Sequence, residues 1–199
     1  MSEIELIFDF GSPNAYLVHR VLPKMAASAG IKLRYSLCLL GGVFKLTNNR
    51  APMEAFAQVD NKLRYERLEF DRFVQHHQLS NFKWNPHFPV ITVTLMRGAL
   101  AAEEEGMLPA YIEAGLKATW EEECNMADPD IYAEALTKHG IDGEHFLSRA
   151  QDPRIKQKLI DNTNAAVKRG VFGIPTFFVG DEMFFGKERL DQVLAAAAG

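Results

Sequence analysis

Apolar residues run almost unbroken from Ile4 to Phe10 (IELIFDF), the pattern of a short buried strand. Gly11-Ser12-Pro13 ends that run and opens a helix. Ser12 is a good N-cap, and Pro13 suits the first helical position, where its missing N–H costs nothing. Leu17, Val18, Val21, Leu22, Met25 and Ala29 keep a helical stripe up to Gly30, with a kink expected at Pro23. Ile31 to Leu37 (IKLRYSL) alternates as a second strand. The chain therefore opens β-α-β, for which a right-handed parallel crossover is expected.

The middle reads as helical. Met53, Phe56, Val59 and Leu63 predict one long amphipathic helix continuing through Phe70, Phe73 and Val74. Its solvated face carries Arg64, Glu66, Arg67, Glu69, Asp71 and Arg72. A loop with Trp84, Pro86, His87, Phe88 and Pro89 follows, then helices near Val90–Glu105 and Pro109–Glu122. Asp128-Pro129 and Asp152-Pro153 are further cap-plus-proline starts, with Gly140 and Gly170 as stops. No strand-like alternation occurs between Leu46 and Lys168. Ile174 to Val179 then reads as a strand, Gly180-Asp181 as a tight turn and Glu182 to Phe185 as its hairpin partner, before a last short helix at Leu190, Val193 and Leu194. This order predicts an α/β fold: a thioredoxin-like βαβ…ββα core with an all-helical domain inserted between its halves. The expected boundaries are 1–44 and 169–199 for the thioredoxin-like domain and 45–168 for the insertion.

Composition narrows the function. The 199 residues are 47% hydrophobic, enough for a sizeable core. Lys and Arg number 22 against 26 Asp and Glu, a net charge of −4. No basic excess exists to hold a phosphate backbone, so no nucleic-acid partner is expected. The acidic start Met1-Ser2-Glu3-Ile4-Glu5 lacks the basic region of a signal peptide, and no apolar run reaches the roughly 18 residues of a membrane span. A cytoplasmic protein without a membrane partner is expected. Cys38 and Cys124 are far apart and form neither a CxxC nor a metal-ligand spacing, so no metal is expected.

In such a core the loop after the first strand faces the residue before the second-half strand. Here these are Gly11-Ser12-Pro13-Asn14-Ala15 and Ile174-Pro175. A cis Ile174–Pro175 bond would leave the N–H and C=O of Ile174 free to pair with an extended, peptide-like ligand. Redox members of the fold begin their CxxC at the position held by Ser12. With no sulfur from Ser12 to Ala15, this segment cannot carry thiol–disulfide exchange. What remains is a hydroxyl donor at the positive end of a helix dipole, suited to an anion. A free thiol, with a pKa of about 8.5, is only a few per cent ionised at neutral pH. A helix terminus contributes about 0.3–1 kcal/mol and a charge-assisted hydrogen bond about 1.5–3 kcal/mol, enough to lower a bound thiol by about one to two pKa units. Ser12 is expected to hold an external sulfur nucleophile rather than to be the nucleophile, and no GxSxG motif argues for acyl chemistry.

At Phe8-Asp9-Phe10-Gly11-Ser12-Pro13, at Gly41-Gly42-Val43-Phe44-Lys45 and from Val171 to Gly186 (VFGIPTFFVGDEMFFG), the sequence resembles the 2-hydroxychromene-2-carboxylate isomerase family. That family lies within the kappa glutathione-transferase and disulfide-oxidoreductase superfamily, and the resemblance spans essentially the whole chain. It implies glutathione as cofactor and isomerisation of a small aromatic carboxylate in naphthalene-type catabolism, with a homodimer possible. By resemblance Ser12 is the catalytic residue at the glutathione sulfur, Ile174 and Pro175 hold the tripeptide backbone, and Phe185, Gly186, Lys187 and Glu188 lie at its γ-glutamyl end. Glu188 stands where the family often has Asp, one methylene shorter. Lys45 matches a substrate-contacting lysine; Asn48 and Asn49 beyond it, and His87 in the loop between helices, are candidate substrate contacts. Two other readings stay open: a kappa-like transferase or peroxidase that consumes glutathione, and a non-catalytic module that binds peptides along the proline edge.

Overall fold

β1 (Glu3–Phe8) sits inside a four-stranded mixed sheet. It pairs in parallel with β2 (Lys32–Leu37) and antiparallel with β3 (Thr176–Val179), which pairs antiparallel with β4 (Glu182–Phe185). The strand order is β2-β1-β3-β4, and the register sets Leu6 opposite both Tyr35 and Phe177. The computed structural model describes residues 3–199; Met1 and Ser2 of the acidic start lie outside the described residues. The α/β, thioredoxin-like arrangement expected from the order of elements is present.

Between β1 and β2 runs α1 (Pro13–Ser28), capped by the Ser12 side chain, which accepts from the Ala15 N–H at 3.2 Å. The helix continues through Pro23 and stops at Gly30, whose φ of +68° favours glycine. Eight helices separate β2 from β3: α2 (Leu40–Thr47), α3 (Pro52–Ala55), α4 (Asp60–His76), α5 (Val93–Glu104), α6 (Leu108–Trp120), α7 (Pro129–Lys138), α8 (Gly143–Arg149) and α9 (Pro153–Lys168). A 3₁₀ turn (Lys187–Arg189) and α10 (Leu190–Ala198) follow β4. The Asp128 and Asp152 side chains cap α7 and α9, each ahead of a proline.

Three elements differ from expectation. The long helix expected from Met53 to Val74 is two, α3 and α4, because Phe56 and Val59 leave helical geometry between them. Their apolar spacing satisfies both arrangements, so periodicity does not reveal the break. The helices α2 and α8 were not expected. Because α2 spans Leu40–Thr47, the anticipated domain boundary between 44 and 45 falls inside a helix, whereas that between 168 and 169 falls at the end of α9.

The inserted helices are joined to the sheet through the segment after β1. Phe10 packs edge-on against Phe8 and Tyr111, and its carbonyl accepts the Trp120 indole N–H at 2.8 Å. On the other side α2 lies close on α9. A Cβ at Gly42 would come within 3.0 Å of the Thr163 methyl, so only glycine permits this approach without a shift.

Candidate active site

The chain reversal after β1 places Ser12 at the N-terminus of α1, and the approach to β3 places Ile174 beside it. The Ile174–Pro175 bond is cis. Ser12 is buried, with 3% of its surface exposed. Its hydroxyl donates to the Ile174 carbonyl at 2.8 Å while its oxygen accepts from Ala15 N. The expected free carbonyl of Ile174 is therefore engaged, and its partner is the hydroxyl expected to face an anion. A hydroxyl carries one proton, so it cannot serve Ile174 and a bound anion at once.

The end of β4 closes on the same corner. The Gly186 N–H donates to the Pro175 carbonyl at 3.0 Å. The Phe185 ring occupies the space a Cβ at Gly173 would need, 2.8 Å away, and packs on Phe172 with ring centres 4.6 Å apart. Both aromatic side chains keep an exposed surface. Lys187, expected at the γ-glutamyl end, is turned inward and 4% exposed. Its ammonium pairs with the carboxylate of Glu188 and lies 5.9 Å from the centre of the Phe73 ring. Glu188 itself is exposed.

Of the candidate substrate contacts, Asn49 reaches this corner. Its amide donates to the Phe172 carbonyl at 2.9 Å, two residues before Ile174. Lys45 is exposed in the last turn of α2, and Asn48 follows as a left-handed C-cap with φ of 53°. His87 is exposed in the loop between α4 and α5, where its backbone N–H donates to Asn85 Oδ1 at 2.8 Å. Among the described residues no hydrogen bond joins the side chains of Lys45, Asn48 or His87 to the Ser12–Ile174 pair.

Two residues of the site went unrecognised in the sequence. Asn14, in the first turn of α1, has a buried side-chain Oδ1 with no hydrogen-bond partner among the described residues. Asp9 is buried one residue after β1 and accepts three hydrogen bonds. An acid interrupting the run IELIFDF was its visible signal, since a buried carboxylate survives only when donors surround it.

The cysteines stand apart from this chemistry. Both are free; Cys38 is buried, and burial pushes its thiol up to about 12, so it stays protonated. Cys124 is half-buried and packs against the core. A cavity of about 290 Å³ adjoins Cys38, with Arg34 and Arg169 on its wall, but it excludes Ser12 and Ile174 and those arginines are paired with Glu5. No group of three or more His, Cys, Asp or Glu residues suited to a metal ion occurs among the described residues, and no helix there is long and apolar enough to cross a membrane.

A mixed sheet with a cis-proline edge opposite a capped helix start defines a thioredoxin-like protein whose thiol position is filled by a hydroxyl. A family model described as DSBA-like thioredoxin domain matches residues 3–198. The chain belongs to that family and, within it, to the 2-hydroxychromene-2-carboxylate isomerase family. It is 30% identical over 197 residues to 2-hydroxychromene-2-carboxylate isomerase of Pseudomonas putida, covering 97% of this chain and 93% of that one. It is 28% identical over 202 residues to glutathione S-transferase kappa 1 of Rattus norvegicus, covering 94% and 87%. A solved structure of 2-hydroxychromene-2-carboxylate isomerase superposes with a TM-score of 0.82 at 28% identity, over 98% of this chain and 93% of that one. The probable DsbA oxidoreductase of Streptomyces coelicolor shares the fold, with a TM-score of 0.75 at 15% identity over 99% and 88%. The relatives are thus isomerases and glutathione S-transferases.

Proposed function

We propose that the protein is a glutathione-dependent isomerase acting on a 2-hydroxychromene-2-carboxylate-type aromatic compound and yielding the trans-hydroxybenzylidenepyruvate. The observation that carries this reading is the Ser12 hydroxyl, capping α1 and 2.8 Å from Ile174 O, in a segment without sulfur. Such a site suits a thiol that the chain does not own. The residues present fit glutathione. Asn14, two residues after Ser12 in the first turn of α1, keeps a buried Oδ1 acceptor without a partner among the described residues, and Glu188 offers an exposed carboxylate for an α-amino group. When bound, glutathione supplies a thiolate that adds reversibly to an electrophilic carbon, lets the former double bond rotate, and is returned unchanged.

The chain's own residues hold, orient and stabilise. Turning from Ile174 O to a sulfur anion, the Ser12 hydroxyl exchanges a neutral hydrogen bond of about 1 kcal/mol for a charge-assisted one of about 1.5–3 kcal/mol. With about 0.3–1 kcal/mol from the start of α1, the net effect lowers a bound thiol by about one to two pKa units. That brings a thiol of about 8.5 to near neutrality. The same rotation releases the Ile174 carbonyl to a peptide N–H, so anion capture and tripeptide docking become one event. Lys45 meets the substrate carboxylate and the negative charge that develops next to it. Asn49 keeps the Phe172–Ile174 segment in place, and Asn48 and His87 border the substrate.

The test is turnover of 2-hydroxychromene-2-carboxylate with glutathione at a small fraction of substrate. Many turnovers per glutathione, and none without thiol, are expected; full activity without thiol overturns the reading. The similarity to the kappa transferase supports a second reading, a glutathione transferase or peroxidase. Stoichiometric loss of glutathione during turnover would favour it.

A further inference from the structure

Asp9 is 1% exposed and takes hydrogen bonds from three separate segments. Its Oδ1 accepts from the Gly11 N–H at 2.8 Å and from the Thr92 hydroxyl at 2.6 Å, and its Oδ2 accepts from the Leu40 N–H at 2.6 Å. Gly11 immediately precedes Ser12, Leu40 is the first residue of α2, and Thr92 immediately precedes α5. Among the described residues no cation pairs with this carboxylate, so the three donors alone offset its desolvation. Burial nevertheless pushes its pKa above the ordinary aspartate range, against the pull of those donors.

The two oxygens of Asp9 face two halves of the site. Oδ1 fixes the turn that presents Ser12. Oδ2 fixes α2, whose N-cap Leu39 supplies no side-chain cap, so that the Leu40 N–H, which has no partner within the helix, is satisfied by Asp9. Beyond its other end, α2 is fastened again through Asn49 to Phe172 O, on the segment leading to Ile174. The helix that carries Lys45 is thus tied at its start to the approach to Ser12, and past its end to the approach to Ile174.

We propose that Asp9 is a positioning residue that holds α2, and with it Lys45, in a fixed relation to the Ser12 hydroxyl. The proposal rests on the functional reading above for the roles of Ser12 and Lys45. An asparagine at this position can keep the Oδ1 contacts to Gly11 and Thr92, but it sets an N–H₂ against the Leu40 N–H, donor facing donor. Asp9→Asn therefore releases α2 while keeping the turn before Ser12.

The experiment compares wild type, Asp9→Asn, Lys45→Ala and the double variant in the isomerase assay, with glutathione binding measured by calorimetry. In Asp9→Asn, glutathione Kd is expected to change less than about 2-fold, while kcat/KM falls about 10- to 100-fold, as a displaced catalytic group implies. In the Lys45→Ala background the same change is expected to cost less than about 3-fold, because coupled sites are not additive. Equal losses in both backgrounds overturn the proposal, as does loss of glutathione binding in step with turnover. Should Asp9→Asn not fold, Leu40→Pro cuts the same bond from the helix side. Position 40 is the first of α2, and Leu39 at ψ 114° already has the extended conformation a following proline needs. Amide hydrogen exchange supplies a readout independent of activity. Faster exchange at residues 41–47 with unchanged exchange in the body of α1 supports the proposal, and equal acceleration in both segments or none in either overturns it. Absence of glutathione-dependent turnover in the wild type would instead defeat the functional reading, leaving exchange to decide the role of Asp9.

Discussion

Arg20 of α1 and Glu113 of α6 meet at 2.6 Å, joining the helix that begins at Ser12 to the inserted helices. The second arm of the same guanidinium reaches Glu121 at 2.6 Å, and Tyr16 OH donates to that carboxylate at 3.0 Å. Glu113 also receives His19 Nε2 at 3.4 Å and Lys117 at 3.2 Å. The hydrogen bond from His19 and the charge of Arg20 hold its carboxyl well below the usual carboxylate range, against partial desolvation. Because the folded pKa lies below the unfolded one, this stabilisation is fully present above the unfolded value, about 4.3, and is lost as pH falls towards the folded value.

Glu113→Gln is therefore expected to be less stable than wild type at neutral pH, with a gap that closes below about pH 4. Partial exposure and screening limit that gap to about 1 kcal/mol. Urea denaturation at pH 7, 5, 4 and 3 measures it. A gap that stays constant across this range would show that packing rather than charge is lost.

How much of this was legible in the sequence follows from the range of the interactions. The caps at Ser12, Asp128 and Asp152 act within three residues of their partners, and the Gly180 turn is local, so each was readable in place. α2 was not, because two glycines weaken its propensity and the bond that starts it comes from Asp9, 31 residues away. The opposition of Ser12 and Ile174 follows from topology, but the destination of the hydroxyl proton depends on distances that only the folded chain sets. Lys187 illustrates the same limit: a lysine near the chain end reads as solvated, and only the tertiary packing around the 3₁₀ turn, with α1 against it and the Phe73 ring of α4 near the ammonium, buries it.

Gly98 allows two tyrosines of the inserted helices to meet. An added Cβ would fall 2.1 Å from the Tyr111 hydroxyl and 2.3 Å from that of Tyr132, which lie 2.6 Å from each other. Gly98→Ala is expected to destabilise the protein by about 1–3 kcal/mol through overpacking, despite alanine's better helix propensity. Tyr132→Phe in the Gly98→Ala background should recover part of the loss by vacating one hydroxyl. Thermal unfolding of the three variants checks this, and additive losses in the double variant would contradict it.

Ser12→Ala removes a helix cap and the partner of a buried carbonyl together. A loss of about 0.5–2 kcal/mol is expected from the cap, with a further contribution from the unpaired Ile174 oxygen. The activity should fall at neutral pH and recover towards alkaline pH, where glutathione ionises without help. The pH profile of kcat/KM at saturating thiol measures this, with the rising limb expected about one unit higher than in wild type. An unshifted limb would mean that the hydroxyl does not hold the sulfur.

The Lys187–Glu188 pair sets the terms for the γ-glutamyl end. Lys187 is buried and its ammonium engages the carboxylate proposed to receive the amino group of glutathione, so protein and ligand cations compete for one anion. Glu188→Ala is expected to weaken glutathione binding and also to destabilise the fold by about 1–3 kcal/mol, since it leaves a buried ammonium without its counter-charge. Lys187→Met keeps the apolar stem beside Phe73 and frees Glu188, so it should tighten glutathione binding severalfold. Calorimetric titration of both variants separates the possibilities. If Lys187→Met weakens binding instead, the ammonium itself touches the tripeptide and Glu188 serves to aim it.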